Sequence, residues 1–278
     1  SCEPGSWPGC ECDRQGDRNV APPDRYHYLF ARLPVQKTLQ QRPIAAQRAA
    51  IYAPNSVEWI TAAMAIQSVG GVMVPVYAAS TAAQAAYVVN HSDARVLFVD
   101  TPDLLQRVLE AWGAYAQISH IVTLSSQGLE VGPIIEKMRR MGLPVPPVAE
   151  VEHKVVPWSR MQAVGSARDQ EVPGEFERLL SSVTLEQGAQ MLYTSGTSGN
   201  PKGVPLTHKN VGINGSDWLK SNAPLLELND VDLLWLPMSH IFGFGEACLG
   251  NALGWMSYMS EPTKVLQHLK EVRPTVLM

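Results

Sequence analysis

A chain of 278 residues, 45% hydrophobic and 17% charged, has room for a sizeable core in one large domain or two smaller ones. A formal net charge of -4 supplies no cationic field, which argues against nucleic acid as a main partner. Four cysteines make no disulfide framework: Cys2, Cys10 and Cys12 crowd the start, Cys248 stands alone, and C-x7-C-x-C lacks a second ligand pair for zinc.

Residues 1–45 are rich in Pro, Gly, Arg and Gln without a sustained period, and read as an atypical, poorly ordered leader to a domain over 46–278. No apolar h-region opens them, so a cytoplasmic location compatible with peripheral membrane contact is expected. From Ala49 the texture changes. "AAIYAP" predicts a short strand, with Asn55 or Ser56 as cap of the helix "VEWITAAMAIQSVG". "VMVPVY" returns as a strand, "STAAQAAYVVNHS" as a helix capped by Ser80 or Thr81, and "ARVLFVD" as a third strand. "PDLLQRVLEAWGAYA" is an amphipathic helix and "ISHIVTLS" a fourth strand. Trp59 to Ser92 holds no Asp, Glu, Lys or Arg, but Gln67, Gly70, Gly71 and Pro75 interrupt it. We read a buried helix and strand there, not a membrane span.

Residues 132–175, with several prolines and mixed charge, read as a surface excursion. After them come the strand "AQMLYTS", a Gly-rich loop, and a helix expected to begin near Leu206 or Thr207. "DVDLLWLPM" is a further strand, "HIFGFGEACLGNALG" a helix, and "EVRPTVLM" a strand cut short. Near-continuous Val, Ile and Leu strands alternating with helices predict an α/β, doubly wound fold with mostly parallel sheets flanked by helices.

The densest chemistry lies in "YTSGTSGNPKG". Thr194, Ser195, Thr197 and Ser198 offer four hydroxyls within five residues, Gly196, Gly199 and Gly203 free the backbone to turn, and Lys202 adds a cation. A helix starting just afterwards would add its positive dipole end. The set suits a polyphosphate. It is not a Walker loop, because Lys202 sits between Pro201 and Gly203 rather than after Gly and before Ser or Thr. A plain surface turn is the competing reading.

This stretch resembles the signature of the adenylate-forming, AMP-binding superfamily, which holds acyl-CoA synthetases, peptide-synthetase adenylation domains and firefly-type luciferases. "IYAPNSVEW", "GGVMVPVYAAST", "ARVLFVD", "LTHKN" and "LPMSHIFG" agree in order, and the wording most resembles long-chain fatty acid–CoA ligases. The resemblance implies activation of a carboxylate by ATP to an acyl-adenylate, then transfer to CoA, with Mg²⁺ sharing the phosphate charge. It assigns Thr194, Ser195, Gly196, Thr197, Ser198, Gly199 and Lys202 to the β- and γ-phosphates, with Ser198 in place of the usual second Thr. It gives Lys202 and His240 catalytic roles, His240 helping the carboxylate approach, and it assigns no residue to a metal. A core histidine is the competing reading of His240, and core packing that of Phe242, Phe244 and Gly245. Glu246 is read as a structural partner, and His208 and Asn210 as helix-capping and packing residues.

The family also uses a later Tyr-Gly-x-Thr-Glu segment, a ribose-holding Asp, a hinge and a C-terminal lysine, none of which follows His240 here. The resemblance therefore implies the N-terminal portion of a ligase, expected to make no acyl-CoA alone. A non-catalytic nucleotide- or partner-binding module and an adenylating enzyme for amino or aryl acids stay open.

Overall fold

The structure, a computed structural model, describes residues 47–125, 129–194, 200–227 and 229–278. Chain order begins β1 (Arg48–Tyr52), α1 (Val57–Ser68), β2 (Val72–Val76), α2 (Ala82–His91), β3 (Val96–Val99), α3 (Pro102–Glu110) and β4 (His120–Thr123). Each strand is a run of apolar residues because both of its faces are covered. Ala49 and Ile51 of β1 enter one hydrophobic cluster and Ala50 and Tyr52 the other, and β3 divides in the same way. Local chemistry sets the helix starts. Ser56 accepts from the Trp59 N–H, Thr81 and Gln84 form a reciprocal capping box, and Thr101 caps α3 ahead of Pro102. The charge-free stretch is indeed buried helix and strand, and among the described residues no helix is long and apolar enough to cross a membrane.

The predicted excursion over 132–175 is corrected. It folds into α4 (Val131–Arg140), α5 (Val148–Lys154), β5 (Val155–Pro157) and α6 (Trp158–Glu171), followed by α7 (Glu175–Ser182). Pro147 and Pro157 stand at the N-caps of α5 and α6, where a missing N–H leaves no helical bond unmade. Trp158 and Met161 reach into the core.

A second correction concerns the segment after the Gly-rich stretch. Where loop alone is expected after β6 (Gly188–Thr194), Lys202–Thr207 forms β7, antiparallel to β6, with Thr194 opposite Lys202 and Gly188 opposite Thr207. Pro205 is tolerated because β7 is an edge strand. The helix expected near Leu206 or Thr207 is α8 (His208–Asn222), capped by a Thr207–Asn210 box. The large sheet has seven strands in the order β5-β4-β3-β1-β2-β6-β7, parallel except for the last pair.

β8 (Val231–Leu234), α9 (Ile241–Leu253) and β9 (Met256–Met259) build a second, two-stranded parallel sheet. Ahead of the final expected strand lies α10 (Val265–Val272), which takes in only Glu271 and Val272 of it, and of the remainder Val276 makes a single parallel bridge to Asp232. Trp59 of α1 and Phe244 of α9 join the two sheets, with ring centroids 5.5 Å apart.

Candidate active site

Lys202 and Thr194 stand side by side at the C-terminal end of β6, both exposed. Ser195, Gly196, Thr197, Ser198 and Gly199 lie outside the described residues. Helix α2 braces this end of the hairpin. The Tyr87 hydroxyl donates to the Pro201 carbonyl (3.2 Å), and Tyr193 Oη is hydrogen-bonded to His91 Nδ1 (2.8 Å). Burial, reinforced by Tyr87, pushes the Tyr193 phenol up to about 12, so it remains protonated at any physiological pH. The helix dipole expected at the phosphates is not available. Six residues of β7 carry the chain about 20 Å before α8 begins, at the Gly188 end of the hairpin.

His240 occupies the N-cap of α9 and is exposed. Its Nδ1 accepts from the Phe242 N–H (3.2 Å) and its own backbone N–H donates to the Pro237 carbonyl (2.9 Å). A lone pair at Nδ1 puts the proton of the neutral ring on Nε2, which is then a donor free of the capping bond. Phe244 is core, packed on Trp59, whereas Phe242 is exposed.

Between these halves lies a cavity of about 420 Å³. It opens at the C-terminal ends of β1, β2, β8 and β9, the place where open α/β sheets take ligands. Its wall is mainly apolar and includes Tyr77, Trp235 and Met259, while Asn55, Ser239, Glu261 and His268 supply polar groups. His268 Nδ1 is held by Ser260 Oγ at 2.9 Å. Ser239 brings the neighbouring His240 to the rim. The β2–β6 register pairs Met73 with Gln190, and carrying it four residues on sets Tyr77 level with Thr194. Ser239 and Tyr77 line the cavity themselves, whereas Thr194, Lys202 and His240 are not among its lining residues.

The segment Leu236–Met238 reaches the rim because Gly243 lets α9 approach it. A Cβ at Gly243 would lie 2.5 Å from the Pro237 oxygen and 2.7 Å from that of Leu236, backbone atoms that cannot swing aside. Gly243→Ala is thus expected to destabilise the fold by about 1–3 kcal/mol, as overpacking does. Gly245→Ala, with nothing within 4 Å of the new carbon, should instead stabilise by up to about 1 kcal/mol through helix propensity. Urea denaturation of the two variants checks the contrast.

Sequence reasoning missed the cavity, whose wall comes from four separate segments. It also missed Asp232, buried on β8 beside Glu246 of α9. Glu246 was read only as a structural partner. Among the described residues no Lys, Arg or His pairs with either carboxyl; Ser257 Oγ donates to Asp232 Oδ2 at 3.3 Å. Burial first, then the Asp232 charge, push Glu246 up to about 8, and burial raises Asp232 too. Two such carboxyls hold one proton between them at neutral pH.

Comparison with known proteins agrees with this architecture. A long-chain-fatty-acid–CoA ligase 1 from Cavia porcellus is 28% identical over 251 residues, 87% of this chain and 32% of that protein. The long-chain-fatty-acid–CoA ligase FadD15 of Mycobacterium tuberculosis is 26% identical over 242 residues, 84% of this chain and 34% of that protein. The chain thus spans about a third of the length of the curated relatives it matches. Among solved structures, the long-chain-fatty-acid–CoA ligase FadD1 from Archaeoglobus fulgidus superposes with a TM-score of 0.63 at 18% identity, over 90% of this chain and 42% of that one. The anthranilate CoA ligase AuaEII, in complex with anthranoyl-AMP, gives 0.62 at 19% identity, over 91% and 43%. The AMP-binding enzyme family matches residues 39–278, and the chain belongs to that family.

Proposed function

We propose that this chain supplies the phosphate- and carboxylate-binding part of an AMP-forming acid–thiol ligase acting on a long-chain fatty acid. A carboxylate oxygen bonds to the α-phosphorus of ATP while the bond to the β-phosphate oxygen breaks and pyrophosphate leaves. The thiol sulfur of CoA then bonds to the acyl carbon, its proton passes to solvent, and AMP departs with the bonding pair.

What supports this reading is the mainly apolar cavity at the strand ends, lined by Ser239 next to His240 and by Tyr77 after β2, the strand that pairs with β6, whose end carries Thr194 opposite Lys202. Lys202, Thr194 and the 195–199 segment neutralise the β- and γ-phosphate oxygens as charge moves to the leaving pyrophosphate. His240 Nε2–H donates to the substrate carboxylate and steers it toward phosphorus. Mg²⁺ enters with the triphosphate, and no residue of this chain is assigned as its ligand. The apolar wall favours an acyl chain, and the volume falls within the range of small-molecule sites. An aryl acid is the second reading, favoured by a likeness to AuaEII as close as that to FadD1.

The test is ATP–pyrophosphate exchange by the whole protein with a panel of fatty, aryl and amino acids. Exchange is expected with fatty acids of long chain. Exchange confined to amino acids would overturn the proposal.

A further inference from the structure

Asn55 lies just past β1, where the sequence offers it as a helix cap. The neighbouring Ser56 takes that role, accepting from the Trp59 N–H at 3.0 Å. The Asn55 amide is turned elsewhere. Its Nδ2 donates to the Leu236 carbonyl (2.8 Å), and its Oδ1 accepts from the Met238 N–H (2.8 Å). One side chain thus grips a partner segment through two backbone groups, one as donor and one as acceptor. Among side chains of this size only a carboxamide offers both at that spacing. Aspartate would keep the acceptor and set a second oxygen against the Leu236 carbonyl.

The gripped segment leads directly to His240. Pro237, between the two gripped residues, accepts the His240 backbone N–H, and the Phe242 N–H then fixes the imidazole through Nδ1. From the other side α9 closes on the Leu236 and Pro237 carbonyls at Gly243. Asn55 and Pro237 are both in the cavity wall, so the clamp stands at the crevice. It also ties the end of β1, in the large sheet, to the end of β8, in the small one.

We propose that Asn55 is a positioning residue for the site: its amide, by clamping Leu236 and Met238, sets where His240 stands over the crevice. This rests on the reading of His240 as the residue that meets the carboxylate. Asn55 itself touches no reacting atom.

Two arms test it separately from that reading. The first needs no activity: nitrogen-15 spectra of the histidine side chains in this chain, for wild type, Asn55→Asp and Asn55→Ala. The His240 ring signals are expected to move from one Nε2–H tautomer toward a mixture, while those of His91 and His268 stay in place. His240 signals unchanged in a folded variant overturn the proposal. The second arm is a double-mutant cycle in the whole protein, read by ATP–pyrophosphate exchange. Asn55→Asp should lower kcat roughly tenfold or more with the KM for ATP within about twofold, and should cost less than about twofold once His240 is Ala. An equal loss in both backgrounds marks a plain structural brace and overturns the proposal. If His240→Ala leaves exchange unchanged, the reading of His240 fails, and the ring spectra alone decide whether Asn55 positions it.

Discussion

Replacing Glu246 by Gln is expected to remove a pH dependence of stability that the unsubstituted protein shows between about pH 5 and pH 8. The carboxyl is raised from 4.5 to about 8 in the folded state, by burial and then by the charge of Asp232. Below the lower value both folded and unfolded chains hold the proton, and the stabilisation is fully present. Between the two values the unfolded chain has released its proton while the folded one keeps it. Stability therefore falls as pH rises, by up to about 1.4 kcal/mol per unit, and levels off above the folded value. Gln cannot ionise, and its amide can donate to the Asp232 carboxylate. Urea or thermal unfolding of both proteins from pH 5 to 9 checks this. The two curves should lie closest near pH 5 and separate progressively up to about pH 8, Glu246→Gln being the more stable. Parallel profiles would mean that the pair holds no proton worth the name.

Lys202→Ala should slow adenylate formation by roughly ten- to a hundredfold, the loss expected for one charge-assisted contact to the leaving pyrophosphate. The effect on thioester formation from preformed acyl-adenylate should be smaller, because the pyrophosphate has by then departed. The intervening β7 sharpens this expectation. With the N-terminus of α8 at the far end of the hairpin, the role proposed for Lys202 would be played without a helix dipole beside it. Exchange of pyrophosphate into ATP by the whole protein reads the first step, and an unchanged rate rejects the assignment.

The alternation of strands and helices from Ala49 to Thr123 was legible because each strand is apolar on both faces and each helix begins at a hydroxyl cap. The region over 132–175 was not, because prolines that open helices look the same in sequence as prolines that break them. β7 was hidden by composition: Lys, Gly and Pro in "KGVPLT" give no strand period, and its pairing depends on β6 lying alongside. Thr194, Lys202 and His240 could be named from their motifs, but the cavity could not, since its wall is assembled from segments at the ends of four strands. The roles of Asn55 and Asp232 were not legible for a related reason. A cap residue and an acidic residue opening a strand are ordinary local features, and only the partner segment reveals the clamp and the buried carboxyl pair.

The seam between β2 and β6 has a consequence for the order of assembly. These neighbours in the sheet are separated in the chain by β3, β4, β5 and the helices around them, whereas β1, β2 and β3 meet through short crossovers. Closing so long an excursion costs little extra in equilibrium terms, about 0.6 kcal/mol for each doubling of loop length. Its effect falls on timing, since nonlocal pairings wait for local ones. The β6–β7 hairpin is therefore expected to dock after β1, β2 and β3 and to open before them. Amide exchange at Gln190 and Leu192 should outpace that at Ile51 and Phe98.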